Sequence, residues 1–174
     1  PVGGRDHLNL AEHRISVLPR RQPVDEQGRK QDEVTYRSTR YDPVAKRRVP
    51  RSVTLTTNSR LGLPTPADEN VLLALLYPAP RQNGFSESKV HFTPHELFVL
   101  MRWSTNSRSY ERFRNVLERL SALRLIYRNA WWDAQKRGFE TEFSTGLIAS
   151  YKLTRQSAGR RRKGETPPSW IAWN

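Results

Sequence analysis

Arg108, Arg112, Arg114 and Arg119 fall in one stretch from Ser107 to Leu123, interleaved with Glu111, Asn115 and Ser107 itself. These side chains suit one chemistry above others. A guanidinium can grip the guanine edge through two bonds, a carboxamide can do the same with adenine, and a serine at a helix start can hold phosphate. On a helical wheel Tyr110, Phe113, Val116, Leu117, Leu120 and Leu123 share one apolar face. Opposite them stand Arg108, Glu111 and Asn115, flanked by Arg112 and Arg119 on one side and by Ser107 and Arg114 on the other. Recognition helices spend their first two turns on base edges, which makes Ser107, Arg108, Glu111, Arg112 and Asn115 the favoured reading set. A plain amphipathic helix, with Arg108 paired to Glu111 or Arg112 to Glu118, would look similar. The neighbouring elements decide between the two.

Upstream, Thr93-Pro94-His95-Glu96 offers an N-cap, a proline at the first helical position and a reciprocal carboxylate at the third. The helix it opens is expected to bury Leu97, Leu100 and Met101. Trp103 to Asn106 forms the turn, with Trp103 as core packing that fixes the angle between the helices. Downstream, Arg124 to Trp132 reads as a strand, Asp133 to Gly138 as its turn and Glu140 to Lys152 as the return. The turn carries Lys136 and Arg137, where a wing would meet phosphates, although exposed turns are also basic for solubility alone. Helix, turn, helix and hairpin in that order make a winged helix-turn-helix.

Residues 32–58 hold two β-rich runs around Asp42-Pro43, a hairpin bearing Arg37, Arg40, Lys46, Arg47, Arg48 and Arg51. Arg47 and Arg48 are candidate DNA contacts; protection of a strand edge explains the same residues equally well. Pro64 and Pro66, with Asp68 and Glu69 after them, start a helix whose apolar face is Val71, Leu72, Leu75 and Leu76, stopped by Pro78 and Pro80. The expected organisation is an N-terminal arm over 1–31, a winged-helix domain over 32–152, and a basic linker over 153–174 leading into a following domain. The run Arg161-Arg162-Lys163 reads as solvated charge, and Trp170, Ile171 and Trp173 as the beginning of that next unit.

Composition points the same way. Among 174 residues there are 30 Lys+Arg and 17 Asp+Glu, a formal net charge of +13, which marks a polyanion as partner. The absence of cysteine fits a reducing cytoplasm, and no 18-residue apolar run exists to span a membrane. His91 and His95 are separated by Pro94 and do not make a metal pair, and no glycine-rich phosphate loop or acidic cluster is present. Tyr36, Tyr41 and Tyr110 lack the paired histidines a tyrosine-nucleophile nuclease would need. Neither catalysis nor a cofactor is expected.

Residues 4–18 (GRDHLNLAEHRISVL), 58–76 (NSRLGLPTPADENVLLALL), 92–103 (FTPHELFVLMRW) and 106–133 follow in an order that resembles the plasmid replication initiator protein A family. The resemblance covers roughly residues 3–153. Its most specific pieces are Gly62-Leu63-Pro64-Thr65-Pro66, the start of the second helix at Arg108-Ser109-Tyr110, and Asn129-Ala130-Trp131-Trp132. It implies tandem winged-helix domains that bind repeated sites at a plasmid replication origin without catalysis of their own. Only one such domain is visible here, and the Trp170–Trp173 ending fits a cut before the second. The resemblance carries a recognition face onto Ser107, Arg108, Tyr110, Arg112 and Asn115. The expectation is an α+β winged helix-turn-helix with an N-terminal arm and a basic β-hairpin. Its partners would be double-stranded DNA, a second copy as a dimer, and host replication proteins such as the replicative helicase, with no membrane. A bacterial cytoplasmic, plasmid-associated location follows. The alternatives left open are a winged-helix transcriptional regulator and a winged-helix protein-interaction or dimerisation module.

Overall fold

Valine, tyrosine and threonine before Asp42-Pro43, and valine, leucine and threonine after it, make two β-rich runs that pair as a hairpin. In the computed structural model β1 (Glu33–Asp42) pairs antiparallel with β2 (Arg47–Thr56), placing Val34 opposite Leu55 and Tyr36 opposite Val53. The structure describes residues 24–43, 45–82, 84, 86–133, 135–154 and 169–174. Most of the expected arm, residues 1–23, and the run Arg161-Arg162-Lys163 lie outside the described residues.

After β2, Gly62 adopts a left-handed φ of 74°, which a glycine takes without steric cost, and the chain turns into α1 (Pro66–Leu76). Val71, Ala74 and Leu75 are buried along α1, with Leu72 and Leu76 half-buried beside them. Pro78 ends α1, but Pro80 sits in the first turn of a short helix, α2 (Ala79–Gln82), where a missing N–H costs little. The strand β3 (Lys89–Phe92) leads into α3 (Pro94–Leu100), then α4 (Ser107–Ala122) and β4 (Arg124–Arg128).

The segment expected to run as one strand to Trp132 breaks at Asn129, whose φ of 51° turns the chain out of the extended form. A two-residue pair, β5 (Trp132–Asp133) with β6 (Gly138–Phe139), then carries the tip of the hairpin, and β7 (Glu142–Gly146) returns along β4. The return also splits at Leu147, so that β8 (Ile148–Lys152) joins a different sheet. The result is a four-stranded antiparallel sheet in the order β1-β2-β4-β7 and a three-stranded one in the order β3-β9-β8.

The C-terminal tryptophans, expected to begin a following unit, lie instead in β9 (Ser169–Trp173), a strand of this fold. It is the central strand of the second sheet, with Ile171 opposite both Val90 of β3 and Tyr151 of β8. Ile171 is fully buried, which accounts for bulky apolar residues in this position. The core between helices and sheets contains Val53, Leu55, Phe92, Phe98, Phe113, Leu117, Leu125 and Tyr127.

Candidate nucleic-acid interface

The cap expected for α3 forms: Thr93 Oγ1 accepts from the backbone N–H of Glu96, and the Glu96 carboxylate accepts from that of Thr93, both at 3.3 Å. The inward face consists of Pro94, Leu97 and Phe98. Leu100 is exposed, contrary to expectation, because it lies off the side defined by that i, i+3, i+4 spacing. The helix ends at Met101 in a Schellman turn, with Trp103 N–H on the Phe98 carbonyl at 2.7 Å and Arg102 N–H on that of Val99 at 3.1 Å. Arg102 takes the left-handed position of that motif, at φ 56°. The Trp103 ring stacks on Phe98, 5.9 Å between centroids, and holds the turn against α3.

Asn106 then caps α4, its side-chain oxygen accepting from Ser109 N–H at 2.9 Å. Phe113, Val116, Leu117 and Leu120 are buried along the helix. Phe113 meets Phe92 and Phe98 edge-on at 5.9 and 5.6 Å, which seats the buried side of α4 against both β3 and α3. With that face inward, Ser107, Arg108, Glu111, Arg112, Arg114 and Asn115 are all exposed, as the wheel requires. Tyr110 is half-buried, its ring edge-on to Phe98 at 4.9 Å. The Arg112 guanidinium lies over the Trp103 ring at 4.1 Å, so the turn also steadies one cation of the presented face. Ser107, Tyr110, Glu111 and Arg114 line a cleft closed on one side by Leu153. Behind it, burial raises the Tyr151 pKa, with Glu118 adding to the rise and Arg114 opposing it.

Lys136 and Arg137 occupy the exposed turn between β5 and β6, as expected. Asp133 accepts from the backbone N–H groups of Gln135 and Lys136 at 2.7 and 3.1 Å, and these bonds, that of Lys136 foremost, lower its pKa. Lys136 Nζ donates to Glu140, and this bond and the Glu140 charge raise the lysine pKa. Arg137 has no carboxylate partner among the described residues. Arg47 and Arg48 are exposed at the far end of β2, Arg48 donating to Thr39 Oγ1 at 3.2 Å. The two hairpins are tied together by Arg40, whose Nε donates to the Asn129 carbonyl at 3.1 Å and whose guanidinium stacks on Phe139 at 3.9 Å. Asn129 Nδ2 reciprocates on the Pro50 carbonyl at 3.2 Å. Arg40 is therefore a strut between hairpins rather than one more exposed cation.

Arg119 departs from the expected DNA-facing set. Its guanidinium turns inward and pairs with both oxygens of Asp68, Nε to Oδ2 at 2.9 Å and Nη2 to Oδ1 at 3.1 Å. Asp68 is 3% exposed and Arg119 17%. An acid this well buried requires a fully bonded cation, and Arg119 supplies it. In the sequence Asp68 stands only as an acid at a helix N-terminus; a partner in a helix so distant along the chain leaves no local signal. Among the described residues no three His, Asp or Glu side chains gather as metal ligands, and no helix is long and apolar enough to cross a membrane.

A capped helix pair followed by an antiparallel hairpin, set on two antiparallel sheets, defines a mixed α/β domain with a cationic helix face. The chain belongs to the replication initiator protein A family, whose model matches residues 30–169. No curated protein matches it in sequence. Its fold is similar to domains 2 and 3 of RctB in two crystal structures. One matches with a TM-score of 0.57 and 13% identity, covering 99% of this chain and 55% of that one. The other matches with a TM-score of 0.53 and 12% identity, covering 88% and 54%. The chain thus spans about half the length of the solved chains it matches.

Proposed function

We propose that this chain is a winged helix that binds double-stranded DNA sequence-specifically at repeated sites of a plasmid replication origin, and that it performs no catalysis of its own. The observation that carries this is the presented face of α4: Arg108, Glu111, Arg112 and Asn115 are exposed on the first two turns while Phe113 and Leu117 lock the opposite side into the core. In this reading α4 enters the major groove with Arg108 and Asn115 on base edges. The basic turn at Lys136 and Arg137 is the wing on flanking phosphates, and Arg47 and Arg48 extend that contact from the hairpin that Arg40 ties to it. A second copy on a neighbouring repeat and host replication proteins such as the replicative helicase complete the assembly.

The test is selection of a duplex from a random-sequence pool, followed by affinity measurements on the selected and a scrambled duplex. Arg108→Ala and Asn115→Ala are each expected to cost about 1–3 kcal/mol on the selected site and less on the scrambled one. Arg137→Ala weakens both alike. Equal losses on both duplexes for Arg108→Ala and Arg137→Ala would remove α4 as the reading head.

A further inference from the structure

We propose that Asp68 and Arg119 are positioning residues that fix the rotation of α4 about its own axis, and thereby set the sequence specificity of the DNA face; this rests on the reading of α4 as the recognition helix. Arg119 lies on α4 beyond the presented turns, on the flank between the exposed and buried faces. Its fork is closed on Asp68 by two bonds of 2.9 and 3.1 Å. Asp68 is itself fixed to main chain, because its Oδ2 also accepts from the Thr65 backbone N–H at 2.8 Å and from Thr65 Oγ1 at 3.1 Å. The start of α1 and the body of α4 are thus joined through a two-point contact on a buried carboxylate.

Such a contact does what the apolar stripe cannot. Burial of Val116, Leu117 and Leu120 is non-directional and tolerates a small roll of the helix, whereas a bidentate guanidinium–carboxylate pair tolerates little. A roll of about 20° carries a side-chain tip some 2 Å around a helix of ordinary diameter, enough to break a bidentate bond from Arg108 or Asn115 to a base edge. Stability alone does not call for this arrangement, since apolar residues of similar volume commonly replace a buried ion pair without loss. Removing both charges leaves the net charge of the protein unchanged, so sequence-blind attraction to phosphate is expected to persist while discrimination falls.

The experiment uses the full 174-residue chain, the duplex it selects from a random pool, and a scrambled duplex of the same composition at fixed salt. The double variant D68N/R119M keeps an acceptor for the Thr65 N–H and removes the pair. It is expected to stay folded at a somewhat lower melting temperature, because the carboxamide that D68N introduces lacks an acceptor, to bind scrambled DNA equally well, and to lose about tenfold in the ratio of selected to scrambled affinity. Arg119→Lys, which keeps the charge but not the fork, is expected to lose part of that ratio. A folded double variant with an unchanged ratio overturns the proposal, provided Arg108→Ala lowers the ratio in parallel. Should Arg108→Ala also leave the ratio unchanged, the assignment of α4 as reading head falls, and this inference with it. If the double variant does not fold, Arg119→Lys decides alone: a preserved ratio refutes the positioning role, a reduced one in a protein of native melting behaviour supports it.

Discussion

The salt dependence of DNA binding can be worked from which cations are exposed and which are held inward. Arg108, Arg112 and Arg114 on α4, Arg137 in the β5–β6 turn and Arg47 and Arg48 on the β1–β2 hairpin are exposed. Arg119 and Arg40 are committed to Asp68 and to Phe139 and Asn129, and drop out. With about four to six phosphates neutralised, the slope of log K against log salt is about −3.6 to −5.4. Raising salt fourfold, from about 50 to 200 mM, then weakens binding by about 150- to 2,000-fold. A flat response would exclude phosphate contact altogether.

Single substitutions sharpen this. Arg137→Ala is expected to lower the slope by about 0.9, one phosphate's share, on any sequence. Lys136 sits one residue away in the same exposed turn, yet its ammonium is held by Glu140, with Asp133 3.9 Å away. Much of its field is cancelled locally, so Lys136→Ala should change the slope by less than about half as much. Fluorescence anisotropy on a labelled duplex at five or six salt concentrations measures both. Equal slope changes for the two variants would refute the argument, because they would mean that phosphate displaces Glu140 and that local pairing does not sort the cations.

Phe113→Ala removes a fully buried ring and its edge contacts with Phe92 and Phe98, a loss of about 3–5 kcal/mol. For a chain of this size that lowers the melting temperature by about 6–20 °C, and an unchanged value in calorimetry would mean that α4 is wrongly phased. Asn106→Ala deletes the α4 cap and should cost about 0.5–2 kcal/mol in urea unfolding, while Asn106→Gly costs only a few tenths. Burial pushes the Tyr127 hydroxyl up to about 12 from an ordinary value of 10. The unfolded chain therefore releases this proton first, and stability falls as pH rises from about 10 towards 12, by about 1–3 kcal/mol in total. Tyr127→Phe should flatten that part of the alkaline unfolding profile, and an identical profile in the variant would rule out the linkage.

What was legible in the sequence was local. The turn from α3 to α4 could be placed because Thr93, Pro94 and Glu96 define a helix start within four residues, and the wheel of α4 could be phased because its apolar stripe repeats within one element. The β1–β2 hairpin was equally local: the β-rich runs on either side of Asp42 pair in the register that joins Val34 to Leu55. The exposed set Arg108, Glu111, Arg112 and Asn115 follows from the wheel alone.

What the sequence left unread shares one physical cause, contacts between residues far apart in the chain. By sequence Arg119 reads as an eighth cation for DNA because nothing near it offers a carboxylate that could hold it inward; Asp68 does so from another helix. Arg40 resembled its hairpin neighbours until Phe139 and Asn129 were brought beneath it by the β4–β7 return. Trp170, Ile171 and Trp173 could signal either a new unit or a closing strand, since a five-residue apolar run carries no information about its partners. Their pairing with both β3 and β8 places the last strand between the one that precedes α3 and the one that follows β7. Phe92 on β3 touches Phe113, and Tyr151 on β8 faces Glu118 and Arg114. The helix that presents the cationic face is thus seated on a sheet whose central strand lies far from it along the chain, so the geometry of that face depends on residues that no local pattern connects to it.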